Sequence, residues 1–275
     1  MQTPKRFVTA CLLGMALASP ALAQDTPPEE LPFAGGTLTI AETPDYEKVV
    51  SYNGKEIGRD FQAFFDRTAN VAGTDVALIS IGPGGNACGA NTLIVWPDGN
   101  GGVNTDSLPG DCGWPLPAVS DYAIIFAPWV GPGEEMPVRR WTPQDGFRTA
   151  GMLRFVPEPG TGWDDLAAKP AIHPEAYFSN QEFYGYALKT LGSDLAEYAL
   201  GLRVSSEMEK IADGIYATSG CVPHNCGGAD SLLVVDLDAR KAWFAQIRGN
   251  AVAQWPNPAN WPDMARGELK RLAIP

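Results

Sequence analysis

Ser219-Gly220-Cys221-Val222-Pro223-His224-Asn225-Cys226-Gly227-Gly228, followed closely by the apolar run Leu232-Leu233-Val234-Val235, decides how the second half of this chain is read. Two cysteines with four residues between them can close a small ring. Inside the ring lie a proline and one of only two histidines in the protein. Pro223 fixes its own φ near −65°, and the downstream Leu/Val run has the composition of a strand. The segment therefore reads as a rigid loop between strands, with an imidazole near its tip.

Whether the cysteines are oxidised depends on compartment. Lys5 and Arg6 precede a short apolar run over residues 7–17, and Ser19-Pro20-Ala21-Leu22-Ala23 ends in a small-x-small site, the pattern of an export signal removed after residue 23. The run is too short to span a bilayer of about 30 Å. The expectation is a periplasmic protein free of the membrane. Of its five cysteines Cys11 lies in the signal, leaving Cys88, Cys112, Cys221 and Cys226. Four cysteines permit three pairings, and Cys88 with Cys112 and Cys221 with Cys226 is the most local set.

Removing Lys5 and Arg6 leaves 18 basic against 32 acidic residues, a formal charge of −14. That balance disfavours nucleic acid and anionic membranes as partners and is compatible with a basic protein, although solubility alone is the more common cause of such a charge. After an acidic, proline-rich leader over residues 24–35, read as a mobile arm, about 240 residues remain, a length that suits two domains. The fold class expected is α+β, each domain built on an antiparallel sheet. Residues 36–165 read as β-rich, with strand-like runs at 37–40, 76–81, 92–96 and 122–126 separated by Gly, Pro, Asn and Asp. One helix is expected over residues 60–67, where Phe61, Phe64 and Phe65 share a helical face. Residues 166–181 read as a linker. Beyond it Phe183, Tyr184, Ala187, Leu188, Leu191 and Leu195 recur at helical spacing and mark a core-facing helix. Strands follow at 214–218, 231–237 and 242–247, and a short helix is expected over 263–272.

The chain is poor in catalytic constellations. A Ser-His-acid or Cys-His set needs a histidine, and besides His224 only His173 is available. No Gly-x-Ser-x-Gly elbow or phosphate-binding glycine-lysine loop occurs. Cys221, His224 and Cys226 could ligate a metal, but no second ligand pair accompanies them. The residues thus point to a binding protein, with no metal and no cofactor expected.

Cys221-Val222-Pro223-His224-Asn225-Cys226, with strands on either side, resembles the signature loop of the inhibitor of vertebrate lysozyme (Ivy) family, whose pattern is Cys-Lys-Pro-His-Asp-Cys. The resemblance covers residues 182–275. It implies an α+β domain with flanking helices, whose disulfide-closed loop enters the active-site cleft of C-type lysozyme. By position, Cys221 and Cys226 would close the loop, Pro223 would stiffen it and His224 would meet the catalytic carboxylates. Val222 stands where the pattern has lysine, and Asn225 where it has aspartate. The implied partner is C-type lysozyme or a related basic glycan-cleaving enzyme, and a homodimer is among the expectations. The alternative is a non-inhibitory envelope module that binds another glycan-cleaving enzyme or a peptidoglycan fragment. A third reading, an enzyme in the first domain, would draw on its acidic residues and on tryptophans such as Trp114.

Overall fold

A computed structural model describes residues 28–84, 89–108 and 115–272. The expected export signal, Cys88, Cys112 and Trp114 lie outside these described residues. The chain forms two domains, each built on antiparallel sheets, and the second adds helices.

The first domain begins with a four-stranded meander: β1 (Glu29–Phe33), β2 (Gly36–Glu42), β3 (Lys48–Tyr52) and β4 (Lys55–Asp60), paired in that order. A second sheet follows in the same manner, with β5 (Gln62–Val71), β6 (Thr74–Gly82), β7 (Asn91–Pro97) and β8 (Val103–Ser107). The third runs β12-β11-β10-β9, from β9 (Ala118–Val119), β10 (Ile124–Phe126), β11 (Glu135–Thr142) and β12 (Gly146–Arg154). Two-residue turns with both φ angles positive close β1–β2 at Ala34-Gly35, β3–β4 at Asn53-Gly54 and β5–β6 at Ala72-Gly73. This is the type I′ geometry, whose twist matches that of the flanking strands.

The second sheet is the middle layer. Side chains alternate across a strand, so Ala77, Ile79, Leu93 and Val95 pack on Leu38, Val50 and Tyr52 of the first sheet. Their neighbours Val76, Leu78 and Ile94 pack on Ile124, Phe126 and Trp141 of the third. Burial on both faces explains why β6 and β7 are nearly continuous apolar runs.

The second domain opens with α1 (Trp163–Ala168), α2 (Pro174–Ser179), α3 (Gln181–Leu191) and α4 (Leu195–Leu200). Its sheet is β13-β15-β16-β17-β18, formed by β13 (Val204–Ser205), β15 (Ile215–Cys221), β16 (Ser231–Asp236), β17 (Lys241–Arg248) and β18 (Ala251–Trp255). Between β13 and β15 in sequence, β14 (Glu209–Ala212) also pairs with β15. The helices cover one face through Phe183, Tyr198, Leu233 and Phe244. The C-terminal segment, including α5 (Asp263–Gly267), covers the other through Trp261, Ala265 and Leu272.

Three sequence expectations are corrected. The leader over residues 24–35 is not a mobile arm throughout: β1 pairs along β2, because Leu31 and Phe33 join the core of the first two sheets. The stretch over residues 60–67, expected as a helix, holds instead the end of β4 and the start of β5. Phe61 and Phe64 are more than half exposed while Ala63 is buried, so the apolar spacing there does not mark a buried face. The linker over residues 166–181 contains α1 and α2, and Leu166, Tyr177 and Phe178 are buried in the second domain's core. Both helices have only six residues, too few to show a helical period. Asn180 caps α3, its side-chain oxygen accepting the Phe183 amide at 3.1 Å.

Candidate functional site

The β15–β16 connection is built as a stiff projection. Cys221 and Cys226 form a disulfide with Cα atoms 4.9 Å apart. Within the ring the Asn225 amide donates to the Val222 carbonyl at 3.0 Å. Pro223 and His224 occupy the two central positions of that turn, with His224 at φ 62°. Proline first and a left-handed residue second is the requirement of a type II turn. A left-handed non-glycine residue costs on the order of 1 kcal/mol, and disulfide and turn hold it there. His224 is exposed at the tip, and among the described residues its ring has no hydrogen-bonding or ionic partner.

The return limb is fastened as firmly. The Asp230 carboxylate accepts the Gly227 amide at 2.7 Å, and its backbone carbonyl accepts the Ile247 amide at 2.9 Å. The Asn225 side chain folds back against Gly228, where a β-carbon would stand 2.7 Å from it. Asn225 therefore shapes the loop whatever else it touches.

Below the disulfide the base is buried. Cys221 pairs with Val204 of β13 and Gly220 with Ser205. Gly220 is required there, since a β-carbon would meet the Val204 carbonyl at 2.9 Å. Ser231, wholly buried, donates to the Tyr198 carbonyl at 3.0 Å, and the Tyr198 hydroxyl donates to the Leu232 carbonyl at 2.6 Å. Burial pushes the Tyr198 phenol well above its ordinary range. Sequence reasoning marks the loop residues and does not mark these anchors. Gly220, Ser231 and Asp230 carry no motif, and only their position beside the ring hints at them.

His173 has a different task. Its Nδ1 accepts the Glu175 amide at 3.3 Å, capping α2, while Nε2 lies 3.0 Å from the Ser205 hydroxyl. A ring nitrogen that accepts must be unprotonated, so the proton sits on Nε2 and points at Ser205. This is the wrong tautomer for a base that activates serine. The Glu175 carboxylate lies 3.8 Å from Nδ1. His173 joins α2 to β13, the strand beside the loop's base.

Comparison with known proteins finds a match for each domain. Residues 182–275 match the family model of the inhibitor of vertebrate lysozyme (Ivy). The matched span contains the disulfide-closed turn and all six strands of the second domain's sheet. Residues 34–154 match a second family, the Y4bG N-terminal domain. Over nearly its whole length the chain is similar to protein y4bG of Sinorhizobium fredii, 28% identical over 266 residues that cover 96% of each chain. Among the described residues no helix is long and apolar enough to cross a membrane.

Proposed function

We propose that this protein is a periplasmic, non-enzymatic inhibitor of C-type lysozyme, acting through insertion of His224 into the enzyme's active-site cleft. The observation that carries the proposal is the exposed imidazole at the tip of a disulfide-closed turn, within residues that match the Ivy family. Lysozyme works with a pair of carboxylates flanking the scissile bond. Imidazolium offers two donors to such a pair, and neutral imidazole one donor and one acceptor. Cys221, Val222, Pro223, His224, Asn225 and Cys226 form the inserted element.

Preorganisation supports the reading. Closing the ring lowers the entropy of the open loop by about 2 kcal/mol on the chain-entropy estimate, ordering that binding need not then supply. The acidic chain accelerates encounter with a basic enzyme, an effect that weakens as salt is added. Val222 carries no charge, so steric filling and hydrogen bonding dominate at the tip.

The test is a titration of C-type lysozyme with the mature protein in the presence of a competing glycan trimer. Inhibition that the trimer relieves competitively is expected. Inhibition insensitive to the trimer, or no inhibition by disulfide-bonded protein, would overturn the reading.

A further inference from the structure

The first domain contains a cleft of about 520 Å³ between its first and second sheets, lined by β4, β6, β7 and β8. Its volume lies within the range of small-ligand sites. Strand alternation says which side chains enter it. On β7 and β8 the residues facing the first sheet are those in step with Leu93, Val95 and Val103, which pack there. Asn91, Thr105 and Ser107 share that face, and Ser107 stands directly opposite Leu93 in the register. On β4 Gly58 approaches the same wall, since a β-carbon on it would lie 3.1 Å from both Ile81 and Leu93. Asp60, two residues further, shares that face.

The cleft therefore has an apolar floor of Ile81 and Leu93 beneath a carboxylate, an amide and two hydroxyls. One Asp60 oxygen accepts the Phe61 amide at 2.8 Å, and the other has no partner among the described residues. Arg59 lines the rim but is turned to Glu47 and Glu56, at 2.8 and 2.7 Å, so its charge is already answered. Asp106 is likewise engaged, with the Trp141 indole at 3.1 Å, on the opposite face of β8. Asp60, Thr105 and Ser107, which face the cleft, are short hydrogen-bonding side chains with one negative charge. That set suits a ligand rich in hydroxyls with C–H faces between them, and it gives an anion no counter-charge.

We propose that this cleft is a saccharide-binding site, taking a short segment of a neutral glycan. It would hold the first domain on a polymer while the second domain's loop stays free for its protein partner. The experiment uses the whole mature protein, isotopically labelled, titrated with chitotriose and in parallel with maltotriose while amide spectra are followed. Saturable shifts at Asp60, Asn91 and Ser107 with either sugar are expected. A preference for chitotriose would point to an N-acetylated wall glycan, and one for maltotriose to another polysaccharide. Asp60→Asn, which keeps the shape, should weaken binding about tenfold, because one charge-assisted acceptor is lost. Ser107→Leu should abolish binding by filling the cleft, and His224→Ala should leave it unchanged. Saturation by neither sugar, shifts elsewhere, or full binding by Asp60→Asn would overturn the proposal.

Discussion

A β-carbon on Gly201 would fall against the Ser231 hydroxyl and the Ala229 carbonyl, so α4 and the loop's return limb meet through bare backbone. Gly201→Ala should destabilise the protein by about 1–3 kcal/mol, the usual cost of forcing atoms into a packed contact. A urea midpoint equal to that of the wild type would contradict this account of the base. Two tyrosines make a second prediction at this scale. Burial raises the phenols of Tyr177 and Tyr198 above their ordinary value of 10.0. A raised folded pKa means stability is fully present below the unfolded value and declines as pH rises above about 10. Ultraviolet titration should show two tyrosines ionising only as the fold is lost. Smooth ionisation of all eight tyrosines in folded protein would contradict it. Of the residues at the site, His224 and its ring were legible in the sequence because cysteine spacing and proline are local signals. Gly201 and Tyr198 were not, because their role is a contact made across the fold.

At the scale of elements, the loop's stiffness has two sources, the disulfide and the Pro223–His224 turn. The base below it is held independently by β13, Ser231 and Tyr198. Replacing both Cys221 and Cys226 by serine should therefore leave the sheet intact yet weaken inhibition by about tenfold or more, as loop ordering is transferred to the binding step. Unchanged affinity in the folded double variant would show that the disulfide does not preorganise the contact. Elements were legible where burial was one-sided or complete, as in α3 and β6, since periodicity then reports the core. β5 was misread because exposed Phe61 and Phe64 mimic a helical stripe, and the β-bulge between Phe65 and Arg67 interrupts its alternation. Asn53-Gly54 is a strong hairpin signal lying just upstream, and it argues for the meander that the structure contains.

For the whole molecule, the core of the second domain reaches further back than the Ivy match. Phe183 stacks edge-on with Trp163, Tyr177 and Phe178 at ring-centroid distances of 5.4, 5.4 and 5.5 Å. A fragment beginning at residue 182 loses all three rings. Truncating a buried Phe or Trp to alanine costs about 3–5 kcal/mol, against a total stability of about 5–15 kcal/mol for a domain. That fragment should be unfolded by circular dichroism, and one beginning before Gly160 should fold. A stable fold from residue 182 onward would refute this boundary. The two-domain plan was legible from length and composition, but the boundary was not. Prolines and glycines around α1 and α2 look like linker sequence when their aromatic partners lie beyond residue 182.

The central claim is that His224 occupies the lysozyme cleft, and inhibition of C-type lysozyme by wild type and His224→Ala, side by side, tests it most directly. The account predicts that the variant melts with the wild type, because the exposed ring has no partner among the described residues, and that its inhibition falls by at least about a hundredfold, as for a central interface anchor. Equal inhibition by the two folded proteins would contradict it and place the contact elsewhere on the domain.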